Sequence, residues 1–133
     1  MIELTGITQT VLAGANVLYD TKVAKCGCGE HHRPGSGIIT LAKPGRYLVT
    51  FSGNIAIPTG GTVGAVSAAI AINGEPVYGA TMTVTPAAVN EYQNISASTY
   101  IDVCGCCQQV AVENINAQSV LFANANIIVT RVA

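Results

Sequence analysis

The segment Tyr47–Ile57 places apolar side chains at every second position, and that period limits the fold more than any other feature of the chain. Tyr47, Val49, Phe51, Ile55 and Ile57 fall on one face; Thr50, Ser52 and Asn54 fall on the other. A repeat of two is that of a strand with one face in a core, and it offers no stripe at the 3.6-residue helical repeat. The same alternation recurs in Val66, Ala68, Ile70 and Ile72, and in Ile95, Ala97, Thr99, Ile101 and Val103 against Asn94, Ser96, Ser98 and Asp102. Val110 and Val112 make a shorter strand. From Asn124 to Val132 apolar residues occupy both faces, which predicts burial on both sides.

Turn chemistry separates these runs. Lys43-Pro44-Gly45 precedes the Tyr47 strand and Pro58-Thr59-Gly60-Gly61 follows it. Asn73-Gly74, the preferred tight-hairpin pair, joins two strand-like runs. Thr85-Pro86 and Ala117-Gln118-Ser119 mark further breaks. The Ala-rich stretch 65–71 reads as strand because β-branched residues and the Asn-Gly turn adjoin it. Lys25 to Ser36, rich in Gly and Cys, looks the least ordered. Short strands at roughly ten-residue spacing, with no amphipathic helix, predict a sandwich or barrel. At 133 residues the chain fits one domain, 1–133, and no linker or internal repeat divides it.

Only 10% of the residues are charged and 50% are hydrophobic, where ordinary domains carry about a quarter charged. A small chain so poor in charge is expected to cover part of its surface with copies of itself. The net charge of −1 provides no general attraction for nucleic acid or anionic lipid. Lys22, Lys25, Arg33, Lys43 and Arg46 cluster early, however, and no Lys or Arg lies between Tyr47 and Thr130, so a basic end is expected. The N-terminal segment Met1–Gly6 lacks the features of a secretory signal, and no apolar run is long enough for a helical span. Synthesis in a cytoplasm is expected, with display on a virion or spore surface still open.

Four stretches together resemble the trimeric jelly-roll domains of the tumour-necrosis-factor and complement globular-head superfamily, of the bacterial or bacteriophage type. They are Val17-Leu18-Tyr19-Asp20, which resembles the family's early strand, the run Gly37–Phe51 with its Pro44-Gly45-Arg46-Tyr47, Ile72-Asn73-Gly74, and Ser98–Asn114, closed by a terminal strand from Ala125 to Val132. The resemblance implies an all-β, ten-strand jelly-roll sandwich, a homotrimer around an apolar axis, and ligand binding on the outside. Tyr92, Tyr100 and Phe122, among only five Tyr and two Phe, are the candidates for that axis. The chain departs from the family in having no collagen-like stalk. It also has Cys104-Gly105-Cys106-Cys107 where the family usually has Gly-Asp.

Five cysteines fall in two clusters, Cys26 and Cys28, followed by His31 and His32, and Cys104, Cys106 and Cys107. Thiolates and imidazoles suit tetrahedral zinc, and two clusters can converge on one ion, but neither has the usual C-x₂₋₄-C spacing. Disulfides between the loops, within or between chains, are a second state and free thiols a third. A Cys–His nucleophile lacks an orienting third group, and no Ser/His/Asp order, carboxylate pair or phosphate loop is present. The Asn94-Ile95-Ser96 triplet lies inside a strand and is read as chance. The expected function is therefore non-enzymatic and without a required cofactor: a trimeric surface, fibre-tip or decoration protein of a bacteriophage or bacterial coat. Its partners would be its own copies and an unknown protein or carbohydrate ligand. The alternative is a small metal-binding or redox protein that uses loops 26–32 and 104–107.

Overall fold

The computed structural model describes Met1–Ala133 and contains strands but no helix. In chain order the strands are β1 (Ile2–Gly6), β2 (Gln9–Val11), β3 (Thr21–Lys25), β4 (Glu30–His32), β5 (Ile39–Leu41), β6 (Gly45–Ala56), β7 (Val66–Ile72), β8 (Glu75–Val84), β9 (Gln93–Val103), β10 (Gln108–Asn114) and β11 (Val120–Arg131). That makes eleven strands where ten were expected. They form two antiparallel sheets. One runs β3-β1-β11-β6-β9 with β2 also on β11; the other runs β4-β5-β10-β7-β8.

The alternation in the sequence is the alternation of burial. Tyr47, Val49, Phe51 and Ile55 of β6 point inward beside Ile127 and Val129 of β11 and Ile101 and Val103 of β9. Ile39, Val66, Ala68, Ile70, Val110 and Val112 face them from the other sheet, and all belong to one hydrophobic cluster. At its centre the Phe51 and Phe122 rings meet edge to face, with centroids 6.5 Å apart, a preferred arrangement for aromatic quadrupoles.

Two turn motifs acquire physical reasons. Asn73 and Gly74 both have positive φ (53° and 85°), as a tight hairpin between β7 and β8 requires. Gly45 opens β6 at φ 147°, and a Cβ there would meet the Ala133 carbonyl oxygen at 2.6 Å. The Tyr47 ring two residues on is buried, and its hydroxyl donates to the Lys43 carbonyl at 2.8 Å. The Pro-Gly-x-Tyr run thus turns the chain, clears the C-terminal strand and locks the turn from inside.

Three local expectations are corrected. Val17–Asp20 is not a strand. Val17 and Tyr19 are buried, and the segment is tied sideways by Val17 N–H to the Val112 carbonyl (2.9 Å) and Gly35 N–H to the Tyr19 carbonyl (2.9 Å). The stretch Lys25–Ser36 is more regular than its composition suggests, because β4 pairs with β5 through it. The last strand begins earlier, at Val120, and within one subunit buries one face. A bulge at Asn124, φ 55°, shifts the register between Ala123 and Asn126, so Ala125, Ile127 and Val129 continue the inward series of Val120 and Phe122. Ile128 is left half-buried on the outer face.

Candidate functional site

Both cysteine clusters sit at one end of the sandwich. The β3–β4 connection holds Cys26 and Cys28, the β9–β10 connection holds Cys104–Cys107, and the β5–β6 connection with Lys43 and Pro44 lies there too. Strand pairing places them together: Glu30 is opposite Leu41, Leu41 opposite Gln108, and Gly45 opposite Val103. The β7–β8 turn joins this end through Asn73 N–H to the Gln109 carbonyl, at 2.8 Å.

The sulfurs are nevertheless not pooled. Cys106 is bonded to its neighbour Cys107, within one loop rather than between the two loops. Cys26, Cys28 and Cys104 are free and exposed. His31 and His32 lie on β4, not in a loop, and strand geometry sends them to opposite faces. His31 is outward and exposed beside Thr40. His32 is half-buried, its Nε2 2.8 Å from the Ser36 carbonyl oxygen and its ring edge-on to Tyr19. No group of three His, Cys, Asp or Glu side chains comes together in the chain, and Cys26, Cys28, His31, His32, Cys104, Cys106 and Cys107, the candidates for a metal or disulfide site, do not converge on one point.

The aromatic candidates separate in the same way. Phe122 is fully buried within one subunit, against Phe51. Tyr100 and Tyr92 are exposed, at 62% and 41%. Tyr100 lies on the outer face of β9, with the Arg46 guanidinium 5.9 Å from its ring centroid. Arg46 is held by Asp102 through Nε (2.7 Å) and Nη2 (3.0 Å), a two-point pair that keeps the Asp102 carboxyl below its ordinary range.

The outer face of the larger sheet is the surface that pattern reading passed over. Across it, paired residues run Tyr100–Leu48–Thr130, Ser98–Thr50–Ile128–Glu3 and Ser96–Ser52–Asn126–Thr5. Within those rows the one ionisable carboxylate, Glu3, accepts from the Asn126 amide at 2.8 Å. The face is therefore broad, mixing aliphatic side chains with hydroxyls and amides, and its charges are Glu3 and the mutually paired Arg46 and Asp102. The signal for it was in the sequence: the polar half of each alternation is Ser, Thr and Asn rather than Lys and Glu. The other sheet carries an open depression of about 550 Å³ at its β4 edge, lined by His31, Arg33, Ser36, Thr40 and Gln109 among others.

Beneath that edge Tyr19 is fully buried, its hydroxyl without a hydrogen-bond partner. Burial pushes the phenol well above the usual tyrosine range, so it stays neutral. Tyr19→Phe removes a desolvated hydroxyl and keeps the ring against His32. An increase in stability of about 1 kcal/mol is expected, read as a higher urea midpoint at unchanged slope; a lower midpoint would show that the hydroxyl has a partner in solution.

No protein-family model matches the chain, and no curated protein matches it in sequence. Among solved structures it is similar to the globular domain of zebrafish complement 1qA protein. The TM-score is 0.73 at 12% identity, over 99% of this chain and 96% of that one. It is similar to Eiger TNF from S. frugiperda, with TM-score 0.76, 11% identity, and 99% and 91% of the two chains covered. Murine APRIL at pH 5.0 follows at TM-score 0.61 and 11% identity, over 95% of each chain. At such identities the likeness shows the fold, an all-β jelly roll of the tumour-necrosis-factor and complement globular type.

Proposed function

We propose that this jelly roll is a non-enzymatic binding module that assembles as a homotrimer and is displayed on the surface of a bacteriophage or bacterial coat, at a fibre tip or as a decoration. The observation that carries the assembly is the outer face of the larger sheet. Leu48, Leu121 and Ile128 are half-buried there among Ser, Thr and Asn, and the exposed charges of Arg46 and Asp102 on the same face are paired with each other. Low charge over the whole chain points the same way. The fold likeness to complement and tumour-necrosis-factor domains supports a binding role. A threefold ring is the closed assembly that the resemblance implies.

Ligand binding then falls to the surfaces left outside the ring. These include the His31–Arg33–Gln109 depression and the nearly fully exposed Tyr78, which suit a protein or carbohydrate ligand and require no cofactor. The setting is tested by the neighbouring genes: capsid, tail or spore-coat genes are expected there, and their absence would count against display.

Sedimentation velocity at micromolar concentration tests the assembly. The expected mass is three times the 13.6 kDa of one chain, and Ile128→Lys together with Leu48→Lys is expected to shift it to the monomer. A wild-type protein that sediments as a monomer would overturn the proposal.

A further inference from the structure

The loop Cys26–Gly29 joins β3 to β4 and carries two of the three free thiols. Gly27 takes φ 89°, which lets the chain reverse between the two cysteines. Lys43, from the neighbouring β5–β6 connection, places Nζ 2.8 Å from Cys28 Sγ. Lys25 Nζ donates to the Gly27 carbonyl at 2.9 Å, one residue from Cys28. Arg131 lines the same hollow of about 250 Å³ as Lys43, Cys26 and Cys28. The nearest carboxylate, Glu30, is buried at 3% exposure and paired with the Met1 amino group. An exposed sulfur thus sits against Lys43 with Lys25 close by and Arg131 in the same hollow, while the one nearby acid is turned inward and engaged.

We propose that Cys28 is a nucleophilic thiol that exchanges with anionic disulfides, and that Cys26 is the thiol that resolves the product. This goes beyond the binding role and does not depend on assembly. The hydrogen bond from Lys43, then its charge and that of Lys25, favour the thiolate of Cys28 and lower its pKa against the opposing effects of desolvation and Glu30. The thiolate attacks one sulfur of a disulfide R–S–S–R. A Cys28–S–S–R bond forms, the R–S–S–R bond breaks, and one RS⁻ leaves. Cys26 then loses its proton to solvent and attacks the Cys28 sulfur. The Cys26–Cys28 disulfide forms and the second RS⁻ leaves. Two protein thiols are oxidised and one external disulfide is reduced to two thiolates. The three cations favour a co-substrate in which R carries a carboxylate, as in an oxidised acidic peptide thiol.

Stopped-flow reaction with dithionitrobenzoate, a dianionic aromatic disulfide, tests this, with neutral dithiodipyridine as the comparison. At about pH 6.5 the fastest phase is expected to vanish in Cys28→Ser and to persist in Cys26→Ser and Cys104→Ser. Lys43→Gln should slow it several-fold, because less of Cys28 is then thiolate, and by less at about pH 9, where the thiol ionises without help. Added salt should slow the dianionic reagent and leave the neutral one nearly unchanged. Peptide mapping should find the Cys26–Cys28 disulfide in wild type and a stable mixed disulfide on Cys28 in Cys26→Ser. Survival of the fast phase in Cys28→Ser, or an unchanged rate in Lys43→Gln at about pH 6.5, overturns the nucleophile. A mixed disulfide that persists in wild type overturns the role of Cys26. The residues changed are exposed, and circular dichroism on each variant establishes that the sheets are intact.

Discussion

Phe122→Ala is expected to lower the unfolding free energy by about 3–5 kcal/mol, the range for truncating a buried phenylalanine. The ring is fully buried and edge-on to Phe51, so its removal loses the transfer term, leaves a cavity and breaks the aromatic pair. Tyr100→Ala, on the outer face of β9 and 62% exposed within one subunit, should stay within about 1 kcal/mol of wild type where the protein is dissociated, since the subunit itself forfeits only an exposed cation–π contact with Arg46. Urea denaturation at two protein concentrations separates packing from assembly, because only an assembly term depends on concentration. If Phe122→Ala loses stability only as dilution dissociates the protein, Phe122 belongs at a subunit contact after all.

Asn114→Ala should be nearly as damaging, at about 3 kcal/mol, through polar groups instead of packing. Asn114 is fully buried at the end of β10. Its amide donates to the Val11 carbonyl (3.0 Å), the Leu12 carbonyl (3.3 Å) and the Gln118 carbonyl (3.0 Å). Its oxygen accepts from the Asn116 backbone N–H (2.9 Å) and the Asn116 side chain (2.8 Å). Asn116 in turn clamps Ser67 from both sides, accepting from its N–H at 2.9 Å and donating to its carbonyl at 2.7 Å. One side chain therefore ties the β2 end, the β10–β11 connection and the start of β7. Truncation leaves several buried groups unpaired at about 1–3 kcal/mol each, partly relieved by entering water. A fall of about 10 °C in the thermal midpoint is expected. Asn114→Asp should fail as well, since a carboxylate cannot donate to those carbonyls. A loss below about 1 kcal/mol for Asn114→Ala would mean that they already reach water.

These two residues mark how far pattern reading goes. Phe122 and Tyr100 are both aromatic in strand-forming surroundings, and composition cannot tell them apart. A strand presents neighbouring residues to opposite faces, and the phase of β11 depends on the bulge at Asn124. Counted back from Ile127 without that extra residue, Phe122 falls on the wrong parity. Asn114 was visible as the last residue of a resembling motif, yet its partners lie at Val11, Leu12 and Gln118, and no local spacing announces them. His31 and His32 looked like a loop pair beside Cys28. Pairing of β4 with β5 turned them to opposite faces and removed them from the sulfurs.

The class of fold follows from local chemistry along the chain. Period-two burial in β6 and β9, the Asn73-Gly74 hairpin and the Pro44-Gly45 turn are local, since each follows from side-chain alternation or φ preference within a few residues. Tertiary structure decided which cysteines meet, which aromatics are inside, and that Lys43 reaches Cys28 across fifteen residues of chain. The physical reason is register. A shift of one residue in strand pairing, or one bulge, exchanges the two faces of a strand, and register is set by the summed packing of both sheets rather than by any one segment.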